Sequence, residues 1–320
     1  VRTTEILAPD RPGIARAAEL LREGQLVAFP TETVYGLGAD ACDGRAVAAI
    51  YEAKGRPQFN PLIVHVVGPE AAAQLVKLPE AGLRLAQAFW PGPLTLVAPM
   101  RPRCGIAGLV TAGLETLAVR VPAHPLARAL LAEFGGPVAA PSANVSGTIS
   151  PTTAEHVLES LGGRIAAVLD GGACPVGLES TIIGFDGGRP VLLRPGGLPV
   201  EAASDVLGEV LSLDRSEAVT APGQLASHYA PGAGLRLRAN RPAPGEAWLG
   251  FGMDPDGVAG AALNLSPDGD LTEAAANLFA HLRALDAMLG GRGVIAVAPV
   301  PRRGLGLAIN DRLERAAAPR

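Results

Sequence analysis

Residues 26–40 read LVAFPTETVYGLGAD, an apolar strand that stops at Pro30 and runs into Thr31, Glu32, Thr33, Tyr35, Gly36 and Gly38. Proline ends a strand ladder because it has no N–H to donate, and the two glycines permit close approaches that a side chain would block. Between them, hydroxyls, a carboxylate and a phenol are packed more densely than a mere turn requires. Threonine and tyrosine are also good strand residues, and glycine marks many ordinary loops. A polar loop at the end of a strand is nevertheless where α/β proteins hold ligands. The stretch points to an α/β fold and to a first candidate site.

A chain of 320 residues exceeds the usual single domain, so two domains are expected. Hydrophobic residues make up 48% and charged residues 18%, and no apolar run approaches a membrane span. Forty glycines and 29 prolines with 4% aromatics imply tight turns and small-residue packing within a globular chain. The opening VRTTEILAPDRPG lacks the charged start and apolar middle of a signal peptide, so a cytoplasmic protein is expected. Cys42, Cys104 and Cys174 are odd in number and far apart, which indicates neither a disulfide frame nor a zinc site. The net charge of −4 excludes a general nucleic-acid binder while leaving room for a local basic pocket.

Along the chain, apolar spacing predicts a helix over 11–24, a strand over 25–29, and a helix capped by Asp43 that ends in Lys54-Gly55-Arg56-Pro57. Asn60 and a strand over 62–67 follow, with His65 in the middle of an otherwise apolar run. Residues 116–121, TLAVRV, set Arg120 in an apolar strand, where an unpaired buried charge would cost several kcal/mol. Its counter-charge is either Glu32 or a ligand. A strand over 137–140 runs into Ser142, Asn144 and Ser146, and Thr152 with Glu155 reads as a capping box. Strands over 164–169, 180–183 and 191–196 follow, the last carrying Arg194.

Lys54, Arg56, Arg120 and Arg194, with Thr31, Thr33, Ser142, Asn144 and Ser180 as neutral donors, suit a polyphosphate and a small polar substrate. Phosphoryl or nucleotidyl transfer needs chiefly this positioning and charge neutralisation, usually with Mg²⁺. No G-x-x-x-x-G-K-[ST] or G-x-S-x-G occurs. Residues 36–41 match G-x-G-x-x-A, a dinucleotide signature, yet no acidic residue ends the next strand to take a ribose.

Taken together, PTETVYGLGAD (30–40), KGRP with NPL (54–62), VRVP (119–122), PSAN with SG (141–147), LESTII (178–183) and LLRPG (192–196) resemble the threonylcarbamoyl-AMP synthase family, of the YrdC-like type. HYAP (228–231) and AINDRLERAA (308–317) resemble its two-domain long form. The resemblance implies a twisted mixed α/β sheet around a concave cationic cavity, plus a small Rossmann-like domain. It implies that L-threonine, bicarbonate and ATP give threonylcarbamoyl-AMP and pyrophosphate for the t6A37 modification of tRNA, with hand-off to a tRNA threonylcarbamoyl transferase complex. Residue by residue, it implies Thr33, His65, Arg120, Ala140 and Ser180 for threonine. Arg56, Asn60, Thr116, Ser142, Asn144, Ser150, Arg194 and Tyr229 are implied for ATP, with Lys54 and Arg56 as the catalytic cations. No protein metal site is implied; Mg²⁺ rides on the phosphates. The contrasting reading is a module that binds double-stranded RNA or tRNA without chemistry, and weak RNA binding is compatible with both.

The expected boundaries are 1–213 for the catalytic domain, 214–234 for a linker and 235–320 for the small domain. A helix is expected over 200–213. Within the linker, 221–231 is expected to close as a lid, since His228 and Tyr229 sit between Gly223 and Pro231. Where long-form members often carry basic residues, this chain has Gln224, Leu225, Ala226 and Ser227. Strands over 235–239, 247–251, 261–265 and 294–300 alternate with a helix over 271–289, and a helix over 307–317 closes the chain. The leucine stripe of the long helix reads as core, and no catalytic constellation is visible in this half.

Overall fold

The computed structural model describes residues 3–213, 228–258 and 260–319. In chain order the elements are β1 (Glu5–Leu7), α1 (Arg11–Arg22), β2 (Val27–Phe29), β3 (Gly36–Asp40), α2 (Gly44–Lys54), β4 (Ile63–His65), α3 (Pro69–Leu75), α4 (Glu80–Phe89) and β5 (Leu94–Pro99). Then come α5 (Gly108–Thr111), β6 (Thr116–Arg120), α6 (Pro125–Phe134), β7 (Val138–Ala139), α7 (Ala154–Leu161), β8 (Ala167–Leu169), β9 (Thr181–Asp186), β10 (Arg189–Arg194) and α8 (Val200–Leu207). The C-terminal elements are β11 (Gly234–Arg236), β12 (Ala247–Gly250), β13 (Ala262–Asn264), α9 (Leu271–Met288), β14 (Val294–Val297) and α10 (Leu305–Ala317).

Among the described residues the strands form two sheets. The larger is mixed, in the order β1-β8-β2-β3-β7-β4-β6-β5-β9-β10; the smaller is parallel, β11-β14-β12-β13. Alternation along the strands sends successive side chains to opposite faces. Val64, Leu96, Val119 and Ile183 enter the main core, while Ile63, Val97, Ala118 and Ile182 form a small apolar floor on the other face. His65 and Arg120 stand two residues from Ile63 and Ala118, so they share the floor's face. That is why a charge and an imidazole occur in apolar strands. The register completes the arrangement, because β4 and β6 run parallel with His65 opposite Arg120.

Caps set several boundaries. Asp43 accepts from the Arg45 N–H to start α2, and Gly55, at φ 58°, stops it, leaving Lys54 inside the last turn and Arg56 beyond it. The helix expected over 200–213 ends at Leu207, because Gly208 adopts φ 72°. The capping residue of α7 is Thr153, not Thr152: the Thr153 hydroxyl accepts from the His156 N–H. Gly36–Asp40, expected as loop, is a strand antiparallel to β2. Its glycines are therefore not a phosphate-binding turn, and the dinucleotide reading falls.

Val34, Ile149 and Leu178, from loops of the larger sheet, belong to one apolar core with Leu278, Phe279, Ile295 and Ile309. The smaller sheet and its helices are thus packed against the rim of the larger. The leucine stripe of α9 is core, as expected: Leu278, Leu282 and Leu285 are fully buried. Among the described residues, no helix is long and apolar enough to cross a membrane.

Candidate active site

The turn after β2 is fastened by its own hydroxyls. Thr31 Oγ1 accepts from the Thr33 and Val34 N–H groups and lies 2.7 Å from Thr33 Oγ1. This projects Glu32 toward the end of β6, where Oε1 accepts from Arg120 Nη2 at 2.5 Å and Oε2 from the Ala123 and His124 N–H groups. The counter-charge of Arg120 is therefore Glu32. The same guanidinium donates to Thr33 Oγ1 at 2.8 Å and to the Gly92 carbonyl at 3.2 Å. Burial would raise the Glu32 carboxyl, but Arg120 and the backbone N–H groups hold it below its ordinary value.

Beside this pair stands His65, 3% exposed, with no hydrogen-bond partner for Nδ1. Burial, reinforced by Arg120, pushes it down to about 3, so the ring is neutral at pH 7. Ser180 lies just before β9, its hydroxyl 2.7 Å from Thr95 Oγ1 and accepting from Arg194, which also donates to the Ser180 carbonyl at 2.8 Å. Arg56, just beyond α2, donates to the Asn60 and Pro61 carbonyls, and burial pushes it down to about 10.

Thr33, Arg56, His65, Arg120, Ser180 and Arg194 border one cavity. Its lining includes Thr33, Arg56, His65, Arg120, Ala140, Ser142, Ser180, Arg194 and Tyr229, nine of the residues singled out in the sequence. Lys54, Asn60, Thr116, Asn144 and Ser150 do not line it. Lys54 is buried beneath, donating to the Ser142 carbonyl at 2.6 Å and to that of Asn144, and burial followed by Arg56 lowers its pKa. Asn144 Nδ2 donates to the Val145 and Thr148 carbonyls, which stiffens the same loop. Both side-chain polar atoms of the buried Asn60 lack partners, and Thr116 is half-buried at the start of β6 opposite Pro99.

Sequence reasoning missed a second cluster on the far wall. Glu179 lines the cavity; its Oε1 accepts from Ser150 Oγ at 2.5 Å and its Oε2 from Arg312 Nε at 2.8 Å. Arg312 belongs to α10 and is completely buried, with its guanidinium carbon 5.0 Å from the centre of the Tyr229 ring. Tyr229 adopts φ 62°, rare for a bulky residue, and its ring packs against His228 and Phe279. A signal was present in the sequence. Residues 308, 309, 312, 313 and 316 make one helical stripe, which puts an arginine at a core position. Of the expected lid, 221–227 lies outside the described residues, whereas His228 and Tyr229 line the cavity. The less basic stretch 224–227 also lies outside them. Among the described residues, no group of three or more His, Cys, Asp or Glu could hold a metal ion.

A family model described as "Telomere recombination" matches residues 19–196, and one described as "Threonylcarbamoyl-AMP synthase, C-terminal domain" matches 198–318. The chain is 44% identical to the threonylcarbamoyl-AMP synthase of Bacillus subtilis, over 100% of this chain and 97% of that protein. It is also 44% identical to that of Pyrococcus abyssi, over 94% and 93%. Among solved structures it is similar to P. abyssi Sua5 complexed with L-threonine, with a TM-score of 0.89, 41% identity and 98% of each chain covered. E. coli YciO, at 22% identity and a TM-score of 0.55 over 61% of this chain and 96% of that one, shares the fold of the larger sheet.

Proposed function

The chain belongs to the threonylcarbamoyl-AMP synthase family, and from that premise we propose how its own residues carry out the family's reaction. The protein is a nucleotidyltransferase that makes threonylcarbamoyl-AMP and pyrophosphate from L-threonine, bicarbonate and ATP, in the service of tRNA modification. The observation that carries our assignment of residues is the register of β4 and β6. It sets His65 against Arg120 beside Ser180, with Arg56 and Arg194 bordering the same cavity.

We place the threonine carboxylate against Arg120, whose orientation Glu32 and Thr33 fix before any ligand arrives. The neutral His65, its Nδ1 unpartnered, meets the amino acid's polar atoms, and Ala140 and Ser180 complete that subsite. The threonine amine, as the free base, adds to CO₂ formed by loss of water from protonated bicarbonate, or displaces water from bicarbonate itself; the C–N bond forms, the nitrogen gives up a proton and a carbamate results. A carbamate oxygen then attacks the α-phosphorus, and pyrophosphate leaves with the bonding electrons. No side-chain nucleophile is needed. The protein contributes orientation and charge stabilisation in a site shielded from water.

For ATP we assign Arg56, Ser142, Arg194 and Tyr229 as facing groups, with Asn60, Thr116, Asn144 and Ser150 supporting them. Lys54 acts through the loop of Ser142 and Asn144 that it holds. Mg²⁺ enters as Mg·ATP, because Glu179, the carboxylate lining the cavity, is already occupied by Arg312, and Glu32 behind it by Arg120. The boundaries 1–213, 214–234 and 235–320, the closing role of the middle segment, the hand-off of product to a tRNA threonylcarbamoyl transferase and action in the cytoplasm belong to the same proposal. An RNA-binding module without chemistry is not favoured. Arg56, Arg120 and Arg194 are 8%, 4% and 4% exposed, out of reach of a duplex backbone.

Incubation with labelled bicarbonate, L-threonine and Mg·ATP should give a labelled adenylate and one pyrophosphate for each. Tight RNA binding with neither product would remove the enzymatic reading.

A further inference from the structure

We propose that Arg312 is a positioning residue whose charge cancels that of Glu179, so that α10 keeps the far wall of the cavity from repelling the polyphosphate. The proposal rests on the reading that ATP occupies the side bounded by Arg56 and Arg194. A carboxylate in the wall of a polyanion site is out of place by simple Coulomb repulsion, which low-dielectric surroundings strengthen. Glu179 is such a carboxylate, and it is held ionised. Burial would raise it, but Arg312 and Arg194, with the Ser150 hydroxyl, hold it down to about 2. The answering charge comes from the other sheet's unit, along the 2.8 Å contact from Arg312 Nε to Glu179 Oε2.

Arg312 is itself fixed on three sides. Nη1 donates to Asp311 Oδ2 at 2.5 Å, the Tyr229 ring lies over the guanidinium, and no part of the side chain reaches solvent. Without it, Glu179 would be left to Arg194, whose field already bears on it, and would take from the nucleotide a guanidinium that Ser180 now orients. None of the described residues beyond Tyr229 lines the cavity, and Arg312 is the charge that the C-terminal unit brings to Glu179 on that wall.

The test is calorimetric titration of Mg·ATP and of L-threonine, separately, into the full chain and four variants: Arg312→Met, Arg312→Lys, Glu179→Gln and the Met/Gln double variant. Arg312→Met should weaken ATP by about tenfold or more and threonine by less than about twofold, whereas the double variant should return ATP to within about threefold of Glu179→Gln alone. Arg312→Lys, which keeps the charge, should bind ATP better than Arg312→Met. A merely structural arginine would weaken both ligands and gain nothing from Glu179→Gln. If Arg312→Met does not fold, the double variant and Arg312→Lys decide, since removing both partners of a buried pair is tolerated better than removing one. ATP binding lost in both would overturn the proposal, as would an Arg312→Met protein that binds ATP like the parent. A parent chain that makes no adenylate and binds no ATP would instead remove the functional reading on which this one rests.

Discussion

Arg120 divides its guanidinium among Glu32, Thr33 and the Gly92 carbonyl before any substrate arrives, so truncating it has two separable effects. The first is on the fold: Glu32 is left buried and unpaired, a loss of about 3–5 kcal/mol in denaturant unfolding. The second is on binding: threonine should weaken by about 2–5 kcal/mol in Arg120→Ala while ATP changes little, as read by titrating each ligand. Equal losses for both ligands would move Arg120 to the phosphate side. The buried titratable groups make a further prediction at this scale. His65 and His228 are both pushed down to about 3 by burial, so below the ordinary histidine value only the unfolded chain takes up their protons. Their contribution to stability is complete above pH ~6.5 and is lost as pH falls toward 3, as much as about 2 kcal/mol for each between pH 6.5 and 5. Glu179, held down to about 2, adds a loss of the same sign between about pH 4.5 and 2. The denaturant midpoint should therefore fall between pH 7 and pH 4, less steeply in His65→Asn. A flat profile from pH 7 to 5 would mean that neither histidine is buried neutral.

Among the elements, those whose cause is local were legible in the sequence. The apolar run of β6, the Asp43 cap of α2 and the leucine stripe of α9 lie where spacing put them. β3 was not legible, because its glycines answer to partners across the sheet. A Cβ on Gly38 would lie 2.9 Å from the Phe29 ring, 3.1 Å from Val138 Cγ1 and 3.1 Å from the Val27 carbonyl. Gly38→Ala should therefore cost about 1–3 kcal/mol through overpacking, whereas Gly44→Ala, at the start of α2 with nothing within 4 Å, should be neutral or slightly stabilising. Thermal unfolding of the two variants separates the cases, and equal behaviour would deny β3 its tight seat. The site divides the same way. Thr33, Ser142 and Ser180 announced themselves as polar groups at strand ends, and Arg120 and Arg194 as charges in apolar strands, but the opposition of His65 to Arg120 depends on register. The reach of Arg312 to Glu179 depends on packing between units. Neither is written in any local pattern.

At the scale of the whole molecule, the two sheets share a core through Val34, Ile149 and Leu178, and Gly177, at φ 73°, passes so close to α9 that a Cβ would lie 2.4 Å from the Ala275 carbonyl. A chain cut after Leu211 would expose those side chains and lose Tyr229 and Arg312 together. Its expected behaviour is a strongly reduced rate of pyrophosphate release and a shorter-lived adenylate, since nothing is left to exclude water from that side. Undiminished turnover would reduce the C-terminal third to a passenger. The strand order of the larger sheet has a kinetic consequence. Glu5 pairs with Ala167, Ile63 with Ala118 and Leu94 with Thr181, so its seams close between segments distant along the chain. Each closure costs entropy before any contact repays it, and folding of such a topology is slow, on the order of milliseconds to seconds. Thr33, Arg120 and Ser180 meet only when the pairings from β2 across to β9 are complete. A half-folded chain therefore holds no half-built cavity and cannot spend ATP on a carbamate it has no means to shelter.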